Sequence, residues 1–228
     1  MITRGLRLFA HFVAVTLSAF LVLFSSIVVA TYIGLPSGPV IAVQLLIMMI
    51  IHIFSLFVIF NVSTITKLDI RVNPYLTLCE SILHRKLPFD ATMVEIMGQV
   101  FGALLASLMF YGITETTAYL GPISIVSTGA AFGLEVIAGL FIAWVYFHNY
   151  YGPLSRNLPY TMGSVIGVTS ALVFPTIGAT THNPLRYLAA CIPAQSCSNV
   201  WWVYIFGPLV GMIAGYLLHE ITKYNKLK

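Results

Sequence analysis

The sequence predicts an all-α membrane protein: one domain over 1–228, with six transmembrane helices, two re-entrant half-helices and an inverted internal repeat. Three observations predict it. Hydrophobic residues make up 59% of the chain and charged residues 8%, where soluble domains carry roughly 25% charged residues. A single core in 228 residues cannot hide that much apolar surface, so lipid is the solvent for most of it. Six apolar windows are long enough to cross a bilayer, and Asn-Pro occurs twice between them, at Asn73-Pro74 and Asn183-Pro184.

The first window, 8–33, follows Arg4 and Arg7 as a secretory signal would, but its apolar run far exceeds the roughly 7–15 residues of a signal core. It reads as an uncleaved span. Windows at 39–61, 91–113, 126–148, 160–177 and 200–220 complete the set, the fifth short but within the usable range. The segments 73–84 and 183–192 are too short to cross. Each opens with Asn, which caps free N–H groups, and Pro, which suits a first helical turn. They read as half-helices that dip into the membrane and return. Paired interrupted segments at corresponding places in two halves point to a pore or binding site near the midplane.

Lysine and arginine orient the chain. With six spans, ten of the eleven basic residues fall on one side, which the positive-inside rule makes cytoplasmic, together with both termini. Arg186 alone falls on the other side. An ionisable residue buried in a membrane protein is a functional candidate by default. The net charge of +4 therefore reflects topology rather than a nucleic-acid partner. Which membrane hosts the chain is left open, and the Asn61-Val62-Ser63 sequon falls on the cytoplasmic side.

The halves, approximately 1–120 and 121–228, repeat a spacing of small residues. Gly98, Gly102 and Ala106 in the third span match Gly207, Gly211 and Gly215 in the sixth, and the two sets begin 25 and 24 residues after their Asn-Pro. Small residues at every fourth position let membrane helices approach closely. Three spans per half invert the second half relative to the first.

With these residues in place, the chain resembles the aquaporin and glycerol-facilitator superfamily, the major intrinsic proteins, over almost its whole length. Asn73-Pro74 and Asn183-Pro184 stand where the two signature motifs stand, Gln99 matches a glutamine of the third span, and Glu135 a glutamate of the fourth. Trp202-Val203-Tyr204-Ile205-Phe206-Gly207-Pro208 is similar to the start of the family's last helix. Tyr75 and Leu185 replace the usual alanine, giving Asn-Pro-Tyr and Asn-Pro-Leu. His11 stands where the first span usually has glutamate, and the approach Lys67-Leu68-Asp69-Ile70-Arg71 is unusually charged.

The resemblance implies an aquaporin-like fold and a passive channel for water and small uncharged solutes, assembled as a homotetramer without cofactor or metal. Two half-helix N-termini meeting at the midplane present partial positive charge, and Asn73 and Asn183 would donate to a passing oxygen while protons and ions are excluded. Arg186, one turn beyond Asn183, would line an outer constriction with Ile53, Ala171 and Thr180. Such a ring favours slightly larger neutral solutes such as glycerol, urea or hydrogen peroxide. A one-residue slip would put His52 in place of Ile53. Glu135 would buttress backbone N–H groups of the second re-entrant loop, with Gln99 as further support.

Arg71 is a candidate inner gate with Lys67 and Asp69, or else the lining of a solvated vestibule. Tyr75 either crowds the midplane or fills space between the half-helices. Two other classes compete with a channel: an ion-coupled secondary transporter, or a non-conducting structural or adhesion protein. The first would need a further intramembrane carboxylate beyond Glu135, and none stands out. No nucleophile–base set suggests an enzyme, and the histidines read as pore-wall, packing or interfacial residues. Cys191 and Cys197 fall on the predicted outer side and could bridge; the plainer reading is three isolated thiols.

Overall fold

A computed structural model describes residues 4–32, 46–47, 50–51, 53–59, 61, 63, 70–83, 87–115, 126–150, 158–177, 182–185, 187–188, 191, 195, 197 and 199–225. They form six helices: α1 (Arg4–Tyr32), α2 (Pro74–Ile82), α3 (Phe89–Thr114), α4 (Thr128–Tyr150), α5 (Leu158–Ile177) and α6 (Trp201–Asn225). Helical residues at 46–47, 50–51 and 53–59 mark the second expected span, and those at 184–185, 187–188 and 191 the second half-helix. No strand occurs among the described residues.

Local chemistry sets the helix ends. The Asn73 side chain accepts from the Tyr75 N–H, and Pro74 needs no partner at the first position of α2. The Ser127 hydroxyl accepts from the Ala130 N–H at 3.2 Å and caps α4. α3 stops at Glu115, whose left-handed φ of 53° turns the chain out of the helix while its N–H still reaches Tyr111. Between these ends, α3, α4 and Trp201–Lys223 of α6 are each long and apolar enough to cross a bilayer. Their outer faces leave Phe101, Leu108, Ile137, Phe141 and Val210 exposed, the side chains that lipid would cover.

Two helix pairs form the frame, α1 on α3 and α4 on α6, and the repeated glycines make both crossings possible. A Cβ on Gly102 would stand 2.5 Å from the Phe12 carbonyl oxygen, and one on Gly211 would collide with the Val136 carbonyl. Backbone thus lies on backbone, close enough for dispersion to replace the missing hydrophobic drive between membrane helices. The crossings are also in register. Gly98 abuts His11 as Gly207 abuts Glu135, so these two residues occupy equivalent places in the two halves. On α5, Gly163 lies against Ile53 of the second span.

Cys191 and Cys197 are joined in a disulfide with Cα atoms 5.0 Å apart, while Cys79 is a buried free thiol. The reading of three isolated thiols is thereby corrected. A turn at Gln195, with φ of 49°, brings the two cysteines back within bridging distance.

Candidate functional site

The two Asn-Pro motifs meet in the buried interior, and their hydrogen bonds are reciprocal. The Asn73 Oδ1 accepts from the Tyr75 N–H at 3.0 Å, and the Asn183 Oδ1 accepts from the Leu185 N–H at 3.0 Å. Each asparagine then donates across to the other half. The Asn73 Nδ2 reaches the His182 carbonyl at 2.9 Å, and the Asn183 Nδ2 reaches the Val72 carbonyl at 2.8 Å. In both directions the acceptor is the residue just before the partner asparagine. One N–H of each amide is spent on that bond; each NH₂ group carries a second.

The motif residues that follow the prolines point away from this junction. The Tyr75 hydroxyl donates to the Ile205 carbonyl on α6 at 2.8 Å, and Tyr75 belongs to the same buried cluster as Ile142, Met212 and Tyr216. Leu185 packs instead with Val15 of α1 and Ala103 of α3. Each half-helix therefore inserts its extra bulk against the opposite half.

The lead-ins to the two half-helices are held differently. His182 takes a φ of 32°, in the left-handed region that non-glycine residues rarely occupy. Glu135 on α4 holds it there: its Oε2 accepts from the His182 backbone N–H at 3.3 Å and lies 3.0 Å from the ring Nδ1. In the first half, His11 takes the equivalent place, with Nδ1 at 3.0 Å from the Arg71 carbonyl oxygen. Gln99 of α3 donates to the same carbonyl and to the Thr77 hydroxyl, both at 3.0 Å.

A buried charge cluster surrounds this lead-in to the first half-helix. The Arg71 guanidinium pairs with Glu80 of α2 and, at 3.1 Å, with Glu95 of α3. Glu95 also stands 3.4 Å from the His11 Nε2 and 3.5 Å from Arg7, and the Tyr146 hydroxyl of α4 donates to Glu80 at 3.1 Å. Arg71 is 6% exposed and both carboxylates are fully buried. The sequence set Arg71 in an inner gate or a solvated vestibule; in the structure its side chain is buried and ion-paired, and Glu80 and Glu95 are buried carboxylates beyond Glu135. Their cause is mutual: a guanidinium with five donors can satisfy two carboxylates at once, which makes burial of all three tolerable.

A narrow cavity of about 50 Å³ runs beside the asparagines, lined by Arg71, Asn73, His182 and Asn183 and by apolar Leu56, Leu76, Ile142 and Met162, among others. That volume admits water molecules. Apart from Arg71, Asn73, His182, Asn183 and Tyr146, the wall is aliphatic or Met. Of the residues singled out in sequence, Asn73, Asn183 and Arg71 line this cavity, and Glu135 and Gln99 stand directly behind the two lead-ins. Ile53 packs on Gly163 and is not in this wall; Tyr75 is also outside it. Ala171 belongs to α5 by its backbone, its side chain outside the described set. Arg186 and Thr180, with His52, Lys67 and Asp69, lie outside the described residues. Glu80, Glu95 and Tyr146 were missed in sequence. Glu80 and Glu95 fall inside segments predicted to lie in the membrane, where any ionisable residue invites a search for its partner.

Opposed half-helices between paired inverted repeats define an integral membrane protein built around a central polar junction. Residues 3–219 match the major intrinsic protein family, and the chain belongs to that family. It is 26% identical to a probable aquaporin NIP-type of Nicotiana alata over 157 residues, which are 66% of this chain and 56% of that one. It is 30% identical to the neurogenic protein big brain of Drosophila melanogaster over 159 residues, 65% of this chain and 22% of that one. The chain thus spans about half, or less, of the length of these curated relatives. An aquaglyceroporin of Plasmodium falciparum shares the fold with a TM-score of 0.69, covering 96% of this chain and 99% of that one at 17% identity. The fold is the aquaporin-like one, all-α and membrane-embedded.

Proposed function

We propose that the protein is a passive transmembrane channel for water and small uncharged solutes. The reciprocal Asn73 and Asn183 bonds carry the reading, because they bring two half-helix N-termini and two amide donors to one point on a cavity that admits water. Positive helix ends and donor-only side chains there favour a permeant oxygen that accepts, and disfavour cations and a continuous proton-hopping chain of water; this is the general account for the family, carried over by resemblance. Arg186, Ile53, Ala171 and Thr180 form the outer constriction in this proposal, wide and apolar enough for glycerol, urea or hydrogen peroxide beside water. Glu135 and Gln99 act as supports, and Tyr75 as packing rather than as a gate, given its hydroxyl bond to Ile205. The assembly is a homotetramer with both termini in the cytoplasm.

Pairing of Glu80 and Glu95 with Arg71 supports a channel over an ion-coupled transporter, since both carboxylates already hold a fixed cation. Purified protein in liposomes should give water and glycerol fluxes that do not saturate and that have a low activation energy. The Arg186→Ala variant should shift the ratio of the two. Flux no faster than through empty liposomes would overturn the proposal.

A further inference from the structure

Three helices line the cavity in stripes. α4 contributes Ile142 and Tyr146, α5 contributes Met162 and Ile166, and the second span contributes Leu56 and Ile59. Residues three or four apart share a helix face, so these helices meet the cavity through side chains rather than backbone. At one end the stripes run on past the cavity. The next turn along α4 brings Tyr150 and the next along α5 brings Leu158, and neither lines the cavity. Leu158 is 1% exposed and shares one buried cluster with Ile59, Ile70, Tyr146 and Met162. The Tyr150 ring stacks on that of Tyr146, with 5.2 Å between centroids and 14° between planes. The cavity therefore ends where Tyr146, Met162 and Ile59 draw together. That level lies about three turns of α4, roughly 16 Å, beyond the Glu135 that holds His182 beside the asparagines.

Tyr146 is fixed there at its face and at its tip. Tyr150 covers the ring, and the hydroxyl donates to Glu80, which is itself paired with Arg71. Among the described residues, a solute at this level meets an aromatic ring and apolar side chains, with the hydroxyl already engaged. We propose that Tyr146 is a specificity-determining residue whose ring forms an inner neck that sorts neutral solutes by width. This rests on the channel reading above and adds a second filter, toward the α4 C-terminus, to the outer ring of Arg186, Ile53, Ala171 and Thr180. Truncating so large a buried side chain leaves a void, and here the void opens into the cavity.

Liposomes containing the whole chain are measured for osmotic water flux and for uptake of glycerol and of the longer erythritol, each expressed per unit of water flux. Tyr146→Ala should raise glycerol uptake by about tenfold, the scale on which an apolar site discriminates by one methylene, and erythritol uptake by a larger factor. Tyr146→Phe keeps the ring and its stack on Tyr150, and should hold both ratios near wild type. Unchanged ratios in a folded Tyr146→Ala, or gains that do not grow with solute size, would overturn the inference and leave Tyr146 a packing residue. A Tyr146→Phe variant that behaves like Tyr146→Ala would overturn it too. If Tyr146→Ala does not fold, Met162→Ala at the same level decides alone: rising ratios support the neck, and unchanged ratios overturn it. Absence of water and glycerol flux in the wild type would fell the channel reading itself, a distinct result.

Discussion

Among the described residues, Glu135 steadies the lead-in to the second half-helix from behind, one carboxylate against one strained histidine. At the equivalent place in the first half stands His11, and the steadying falls to a cluster of Arg71, Glu80, Glu95 and Gln99 drawn from three segments. The frames around them are the same: glycine-lined crossings in register, a capping asparagine, a bond to the opposite backbone. Symmetry is thus kept where backbone meets backbone and given up where side chains hold a loop. The first half sets several charges against one another, while in the second one carboxylate meets both the backbone and the ring of a histidine.

Breaking the charge balance should cost most. Arg71→Ala leaves two buried carboxylates without their guanidinium, and the expected loss is about 3–5 kcal/mol, read as a fall in melting temperature in detergent. Its counterpart Glu135→Ala strands one histidine and one backbone N–H, and should cost about 1–3 kcal/mol. Equal losses would erase the distinction between the halves. Gly102→Val and Gly211→Val should each destabilise by about 1–3 kcal/mol through overpacking, the second more, because both Cβ atoms would collide with backbone and that of Gly211 more closely. Asn73→Ala and Asn183→Ala should each remove about 0.5–2 kcal/mol of capping, with effects on the two sides nearly equal if the central symmetry holds. The smallest effect belongs to Tyr75→Phe, about 1 kcal/mol for one buried hydroxyl bond, with solute flux unaltered if Tyr75 only packs.

Much of this fold is legible in the chain because lipid imposes length and periodicity on it. The windows at 91–113 and 126–148 reappear as α3 and α4 with ends displaced by two residues or fewer, and the half-helix expected at 73–84 runs Pro74–Ile82. Asn73 and Asn183 could be found because a cap announces itself next to its own helix. The Arg71 cluster could not be assembled in the same way. Glu80 lies 9 residues from Arg71 and Glu95 24 residues away, on three elements whose juxtaposition only the tertiary fold decides. Each carboxylate carried its own signal, an ionisable group in a buried segment, but the sign and place of its partner did not follow from spacing. Tyr75 was ambiguous for a related reason: an aromatic after Asn-Pro can turn inward or outward, and the Ile205 carbonyl that settles its direction is 130 residues away.

The crossed asparagine bonds also bear on how such a chain is put together. A relation in which each partner gives what it receives is isologous, the geometry of a two-fold dimer. Two separate half-length chains inserted in opposite senses would make the same pair of bonds, with the same glycine crossings around them. During synthesis, by contrast, Asn73 emerges 109 residues before the His182 carbonyl that receives its amide. The junction can therefore close only once residue 182 has been made, and a nascent chain arrested before it would leave the Asn73 amide without this acceptor.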